Sequence, residues 1–309
     1  MDEIKIFAPA SVANVSCGFD VLGFCLETIG DEMIIRKIKT PGLKISKIIG
    51  QKLPLETKKN VAGVAAEAIL SASHSSFGFE IEINKNIKAG SGIGSSAASA
   101  AGAVFGINQL IGKPFSAHDL IQFAMEGESL ASGSPHADNV APLLLGGFTL
   151  VRSINPVDAI KLPCPSELKA IVLHPKIELK TMHAREILKN NISLKKAVTQ
   201  WGNLAAFICA LYTEDFELMS RSLIDEIVEP TRSLLIPEFE KVKKGAMEAG
   251  ALGFGISGSG PSVYALAKGI QNANSIANEM RNNINQVGID FEIYISTINN
   301  QGIKIISSK

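Results

Sequence analysis

The chain has 309 residues with 30 Lys+Arg against 30 Asp+Glu, so it carries no formal net charge. Such a length suggests two domains, and the even balance offers no basic surface for nucleic acid or an anionic membrane. Charged residues are only 19% and mean hydropathy is +0.21, but no run of about 18 uncharged apolar residues is long enough to span a bilayer.

In chain order, Glu3 to Ala8 reads as an opening strand that Ala8-Pro9-Ala10 ends. Ser11 to Asp20 is polar and irregular, and Cys17-Gly18-Phe19-Asp20 turns into apolar Val21 to Leu26. Asp31 to Lys39 alternates as a strand, with a turn at Pro41-Gly42. Apolar residues at 61, 64, 65, 68 and 69 give Asn60 to Ser73 a helical period. Phe77 to Asn84 alternates as a strand, and a basic link with Lys85 and Lys88 follows it. A glycine turn then feeds a helix over 95–111, and a further helix runs from Ser116, a good N-cap, through Glu128 and Leu130. Ser132 to Asn139 is a polar patch, and Gly146 to Val151 is a turn and strand. Asn155-Pro156 is read as the domain boundary, dividing 1–155 from 156–309.

Beyond it, Leu168 to Leu173 reads as a buried strand, and helices are expected over Thr181 to Leu188, Leu194 to Tyr212 and Phe216 to Val228. Phe239 to Ala249 is amphipathic and stops at Gly250. Strand, glycine turn and strand follow over Gly255 to Ala267, then a helix over Asn272 to Val287 and a strand over Phe291 to Ile295. Mixed elements in both halves argue for two-layer α/β sandwiches. The four cysteines are scattered without C-x-x-C spacing, which reads as reduced thiols and not a zinc site or disulfide frame. Met1-Asp2-Glu3 lacks a signal-peptide pattern, so a cytoplasmic place is expected.

The most informative stretch is Lys88-Ala89-Gly90-Ser91-Gly92-Ile93-Gly94-Ser95-Ser96-Ala97-Ala98. Alternate glycines let the backbone approach a ligand and take φ > 0 without strain. The helix that follows has first-turn N–H groups without partners and a partial positive charge, a natural seat for a polyphosphate. Serine hydroxyls there can cap, bind phosphate or ligate Mg²⁺. The stretch is not a Walker A loop, since no Gly-Lys-Ser/Thr ends it. A literal G-x-G-x-x-G lies at Gly253, Gly255 and Gly258, but a strand follows where a dinucleotide-binding unit needs a helix.

Three separated segments resemble the three motifs of the GHMP kinases, small-molecule kinases named for galactose, homoserine, mevalonate and phosphomevalonate. They are Ala8-Pro9-Ala10-Ser11-Val12-Ala13-Asn14 with Gly18-Phe19-Asp20, the loop Gly90 to Ser96, and Gly255-Ile256-Ser257-Gly258-Ser259-Gly260-Pro261-Ser262. The resemblance covers the chain in order. Lys88 stands where many members carry proline, which should alter the loop's entry and not its cradle. Within the family the resemblance is nearest to members that phosphorylate homoserine. His136-Ala137-Asp138-Asn139-Val140-Ala141-Pro142, Ala184-Arg185-Glu186-Ile187-Leu188 and Glu229-Pro230-Thr231-Arg232 carry it, with the N-terminal motif.

The resemblance implies an α+β, two-domain GHMP kinase fold. Its N-terminal part would be a ribosomal-protein-S5-domain-2-like α/β sandwich that binds ATP, and its C-terminal part a ferredoxin-like α/β domain. It implies ATP-dependent phosphorylation of the side-chain hydroxyl of L-homoserine, with Mg²⁺ held by Ser96 (or Ser95) and Glu128. Arg185 and Arg232 supply guanidinium forks for the substrate carboxylate. Asn14, Asp20, Asp138 and Asn139 supply oxygens for its ammonium, with Thr181 on the helical face of Arg185 and Gly258 nearby. Asp20 and Asp138 position substrate, and neither is assigned as base. Asn60-Val61 is the expected adenine contact, and the third glycine loop supports substrate or the phosphate loop. His136 reads as a turn or supporting group, His183 as facing elsewhere, and His74, His118 and His174 as carrying no signal. Trp201 reads as core or interface, and a homodimer is a family-level expectation. The alternatives are a GHMP kinase for mevalonate or shikimate, where the extra carboxylates would be unwelcome, or a non-catalytic nucleotide or amino-acid sensor.

Overall fold

The structure, a computed structural model, describes residues 1–309 apart from Glu178, Lys180, Asn190 and Val287, and only the backbone of Thr181 and Met182. The chain opens with strands β1 (Glu3–Ala13), β2 (Leu22–Ile38) and β3 (Leu43–Ile49), then helix α1 (Val61–Ser73) and strand β4 (Gly78–Asn84). Helices α2 (Ser95–Leu110), α3 (Ala117–Ser132) and α4 (Val140–Leu145) precede a hairpin of β5 (Phe148–Ile154) and β6 (Val157–Leu162). Next come β7 (Leu168–Pro175), α5 (Thr181–Glu186), α6 (Leu194–Thr213), α7 (Phe216–Ser222), α8 (Glu229–Arg232) and α9 (Phe239–Glu248). The chain ends with β8 (Gly253–Ile256), β9 (Val263–Lys268), α10 (Ile270–Asn285), β10 (Phe291–Thr297) and β11 (Lys304–Ser308).

One sheet runs β11-β1-β2-β4-β3, with β5 on β2 and β6 on β5, and the other runs β10-β7-β9-β8. In the first, among the described residues, only β3 and β4 pair in parallel. Alternation buries Phe79, Ile81 and Ile83 of β4 on one face, under the helices. Helix α2 is buried nearly all round, which its Ala/Gly/Ser composition allows. A Cβ at Gly102 would lie 2.4 Å from Met33 Sδ, and one at Gly106 2.6 Å from Ile35 Cδ1. The small residues therefore set the helix close against β2 and fix where its N-terminus points. Helices α9 and α10 cover the second sheet with Phe239, Val242, Ile276 and Met280. Ser296 Oγ accepts from the Glu27 amide at 2.8 Å, tying β10 to β2.

Several boundaries differ from the sequence reading. Strand β1 runs on through Pro9 to Ala13, because β11 pairs only as far as Phe7 and Pro9 faces no donor-requiring neighbour there, beside a register shift. The two segments expected at 21–26 and 31–39 form one long strand, β2. Helix α7 stops at Ser222, and Asp225 then takes the amides of Ile227, Val228 and Glu229 on its carboxylate. Strands β3, β6 and β11 and helix α4 were not anticipated. Asn155-Pro156, read as the domain boundary, is the turn between β5 and β6, and the first sheet extends to Leu162 and takes back β11.

Candidate active site

A cavity of about 550 Å³ lies between the N-terminus of α2, the inner face of α3, the loop through Asn14 and Asp20, and α5 and α8. One wall is the glycine loop. Gly90, Gly92 and Gly94 have φ of 72°, 82° and 72°, the left-handed region. A Cβ at Gly92 would meet Gly260 O at 2.6 Å, and one at Gly94 would meet Ser11 Oγ at 2.1 Å. Gly94 is the N-cap of α2 and has no side chain to cap the first-turn amides with, an arrangement that favours an anion at a helix start.

The loop is braced from both sides. Ser257 Oγ donates to Gly92 O at 2.7 Å, and Ser262 Oγ donates to Ser91 O at 2.6 Å. His174 Nδ1 lies 3.1 Å from the same Ser262 hydroxyl, so a histidine read as silent supports the brace. Beneath the loop, Lys85 Nζ donates to Asp31 Oδ2, to Ser95 O at 2.8 Å and to Ser99 Oγ at 3.0 Å. Both partners of this ion pair are buried, and Asp31 Oδ1 also accepts from the amides of Asn86 and Ile87 at 2.8 and 2.9 Å. Full satisfaction of both charges is what makes such burial tolerable. Burial pushes the Lys85 ammonium down and Asp31 opposes that shift.

Ser95 Oγ donates to Ile87 O at 2.8 Å and holds the turn. Ser96 Oγ instead donates to Glu128 Oε2 at 3.1 Å across the cavity edge. Glu128 is 6% exposed, and its Oε1 is buried without a partner among the described residues. Burial pushes its carboxyl up to about 7. No cluster of three or more His, Cys, Asp or Glu that would cage a metal exists among the described residues.

The opposite wall carries charges of both signs. Asn14 and Asp20 have φ of 74° and 61°, a conformation Asn and Asp tolerate better than most residues. Asn14 Nδ2 donates to Gly258 O at 2.7 Å and its Oδ1 accepts the Asp20 amide at 3.0 Å, so this amide shapes the loop. Arg185 Nη2 donates to both carboxylate oxygens of Asp20, at 2.7 and 2.9 Å. Arg232 Nε donates to Ala184 O at 3.0 Å and its Nη1 to Gly258 O at 3.1 Å. Burial, reinforced by the Arg185 charge, pulls Arg232 down to about 10. Asp138 is buried and pushed up to about 7 by burial and by the Asp20 charge, and Asn139 Oδ1 accepts from Ser11 Oγ at 2.8 Å.

Most residues singled out in the sequence meet on these walls. Asn60 does not: it caps α1, with its Oδ1 on the Ala62 amide and its Nδ2 on Pro54 O, and only Val61 of that pair lines the cavity. Lys88, Ser91, Ile93, Ala97 and Ala98 lie off the wall, the last three packed in the core behind it. The Thr181 side chain lies outside the described residues. His183, expected to face elsewhere, lines the cavity with His136, whose Nε2 lies 2.9 Å from Ser134 Oγ. Leu53 and the floor lysine Lys85 were missed as lining residues. Leu53 gave no sequence signal. Lys85 gave one, a charge at the end of an alternating strand, but the same signal fits Lys88.

Comparison with known proteins identifies the family and the fold. The family model for the GHMP kinases N terminal domain matches residues 59–147, and that for GHMP kinases C terminal matches 207–286. A homoserine kinase of Chlorobium phaeobacteroides is 43% identical over 99% of this chain and 100% of its own. One from Xylella fastidiosa is 38% identical over 98% and 94%. The crystal structure of homoserine kinase from Cytophaga hutchinsonii superposes with a TM-score of 0.95 at 49% identity, covering 99% of this chain and 98% of that one. An L. major mevalonate kinase, 16% identical with a TM-score of 0.70 and covering 95% and 96%, shares the fold.

Proposed function

The chain belongs to the GHMP kinases, in their homoserine kinase branch, and from that premise we propose how its cavity works. The fold is the two-domain α+β GHMP fold. The enzyme transfers the γ-phosphoryl group of ATP to the side-chain hydroxyl of L-homoserine, giving O-phospho-L-homoserine and ADP, a step of threonine biosynthesis.

The observation that carries the residue assignment is the pairing of walls. Amides of a glycine loop and helix N-terminus face two arginines set among two acids. In our reading, the amides of Gly90 to Ser96 hold the triphosphate. Arg185 and Arg232 hold the homoserine carboxylate, and Asp20, Asp138 and Asn139 hold its ammonium. Asn14 orients Asp20 and Gly258 and does not itself need to touch substrate. A substrate pinned at both charges presents its hydroxyl oxygen for in-line attack on the γ-phosphorus. The new O–P bond forms as the bridging bond to ADP breaks, and the hydroxyl proton passes late to an oxygen of the transferred phosphoryl group and on to solvent. No side chain is assigned as base.

The donor set beside the loop fits Mg²⁺. Glu128 brings an unpartnered carboxylate oxygen and Ser96 a hydroxyl, both hard oxygens. Two protein ligands without a cage suit an ion otherwise bound by phosphate and water. When bound, Mg²⁺ neutralises charge on the β- and γ-phosphates.

We further place the enzyme in the cytoplasm, on the support of four unpaired thiols and the absence, among the described residues, of a helix long and apolar enough to cross a membrane. We also propose a homodimer built on α6. Leu194, Val198, Trp201 and Tyr212 are 71%, 56%, 60% and 62% exposed along that helix.

Coupled measurement of ADP release over homoserine, mevalonate and shikimate tests the reading. Turnover confined to homoserine is expected. Turnover of mevalonate or shikimate with homoserine inert would replace the substrate, and ATP binding without any turnover would make the protein a sensor.

A further inference from the structure

Two cations that must share one carboxylate repel each other when the site is empty. Arg185 has a counter-charge in Asp20. Arg232 has no such direct partner: it is 3% exposed, its hydrogen bonds end on the backbone carbonyls of Ala184 and Gly258, and among the described residues the carboxylates of Asp20, Asp225 and Asp138 act on it through space without a salt bridge. An acid beside Arg232 would settle its charge but would compete with the substrate carboxylate.

Phe19 offers another solution. It lies one residue before Asp20, half-buried, at the end of the short 3₁₀ turn Ser16–Gly18. Its ring centroid is 5.5 Å from Arg185 Cζ and 5.1 Å from Arg232 Cζ. Among the described aromatic rings it is the one within cation–π distance of both guanidiniums. An aromatic face attracts cations through its quadrupole while carrying no net charge, more strongly where the cation is desolvated. The ring can therefore steady both forks and leave their charge for the ligand.

We propose that Phe19 is a positioning and specificity residue, a shared aromatic platform that keeps Arg185 and Arg232 directed at one substrate carboxylate. The proposal rests on the reading of these arginines as the carboxylate site. It assigns to the phenyl ring a part of the enzyme's preference for an amino acid over an amino alcohol.

The test compares homoserine with 3-amino-1-propanol, which keeps the amine and hydroxyl spacing but lacks the carboxylate, used as substrate or as competitive inhibitor. Phe19→Leu keeps apolar bulk and removes the π face. Homoserine KM should rise about tenfold, equivalent to about 1.4 kcal/mol, while ATP KM stays within about twofold of wild type. The affinity for 3-amino-1-propanol should not change, and Phe19→Tyr should restore homoserine KM. Phe19→Met carries the same expectation as Phe19→Leu if leucine disturbs the turn. An unchanged homoserine KM in both variants, an equal loss for the two compounds, or no rescue by tyrosine would overturn the proposal. If the wild-type enzyme itself does not prefer homoserine to the amino alcohol, the arginine assignment fails first, which separates the two failures.

Discussion

Glu128 and Asp138 are carboxyls that the fold holds against their own ionisation. Burial lifts both to about 7. Between their ordinary values and about 7 the folded protein binds more protons than the unfolded chain. The ligand-free enzyme should thus lose stability as pH rises through that window, by roughly 3 kcal/mol for Glu128 and roughly 4 kcal/mol for Asp138 at the top of it. Glu128→Gln removes one of these costs and also removes the anionic oxygen proposed for Mg²⁺. The variant should melt at or above the wild-type temperature at pH 8, yet release ADP at least about 100-fold more slowly with saturating ATP, magnesium and homoserine. A lower melting temperature at pH 8, or near-normal turnover, would contradict the placement of this side chain. The roles proposed for Glu128, Ser96, Arg185 and Arg232 rest on separate motifs that resemble one family together. Each alone looks like an ordinary helix-face or surface group. Lys85 shows the limit from the other side. It and Lys88 are equivalent in the sequence, and only strand pairing reveals that one is buried on Asp31 while the other lies off the cavity wall.

At the level of elements, periodicity located the long helices, while α4 was missed and α7 was read six residues too long. The apolar spacing in α1 and the Ser116 capping box of α3 mark their starts locally. Strands that depend on distant partners were harder. In β3 a register shift between Ile45 and Lys47 breaks the alternation that would have signalled it. Strand β11 is short and largely exposed, and becomes a strand through pairing with β1 at the other end of the chain. Helix α6 was read correctly in extent, but its outer face carried information that the sequence reading left between core and interface. Leu194, Val198, Trp201, Ala205 and Tyr212 recur at heptad-like spacing and are all exposed. Lys195 and Lys196 lie at the N-terminal end, and Glu214, Asp215 and Glu217 lie just past the other. Antiparallel packing on a second copy would bury the seam and bring the opposite charges together, as a two-fold interface requires. Sedimentation velocity should find a dimer at micromolar concentration, and Trp201→Glu should shift it to monomer with little change in the melting temperature of the chain itself. A wild-type monomer under those conditions would contradict the dimer.

Across the whole molecule, the cavity exists because elements of both sheets meet around it. The glycine loop and α3 belong to the first layer, while the loop at Ser257–Ser262 and the two arginines come from the later part of the chain. The brace from Ser257 and Ser262 onto Gly92 and Ser91 couples the two, so the glycine-loop wall cannot be set independently of the arginine wall. That convergence was partly legible: three motifs far apart in sequence had to meet for either to make chemical sense. The division at Asn155-Pro156 was less so, because a proline-containing turn looks the same within a hairpin as between domains. The most direct test of the account is a crystal structure with a non-hydrolysable ATP analogue, magnesium and homoserine. It should place the triphosphate on the amides of Gly90 to Ser96 and the homoserine carboxylate between Arg185 and Arg232. Nucleotide bound elsewhere with that loop empty, or homoserine turned with its carboxylate away from both arginines, would contradict it.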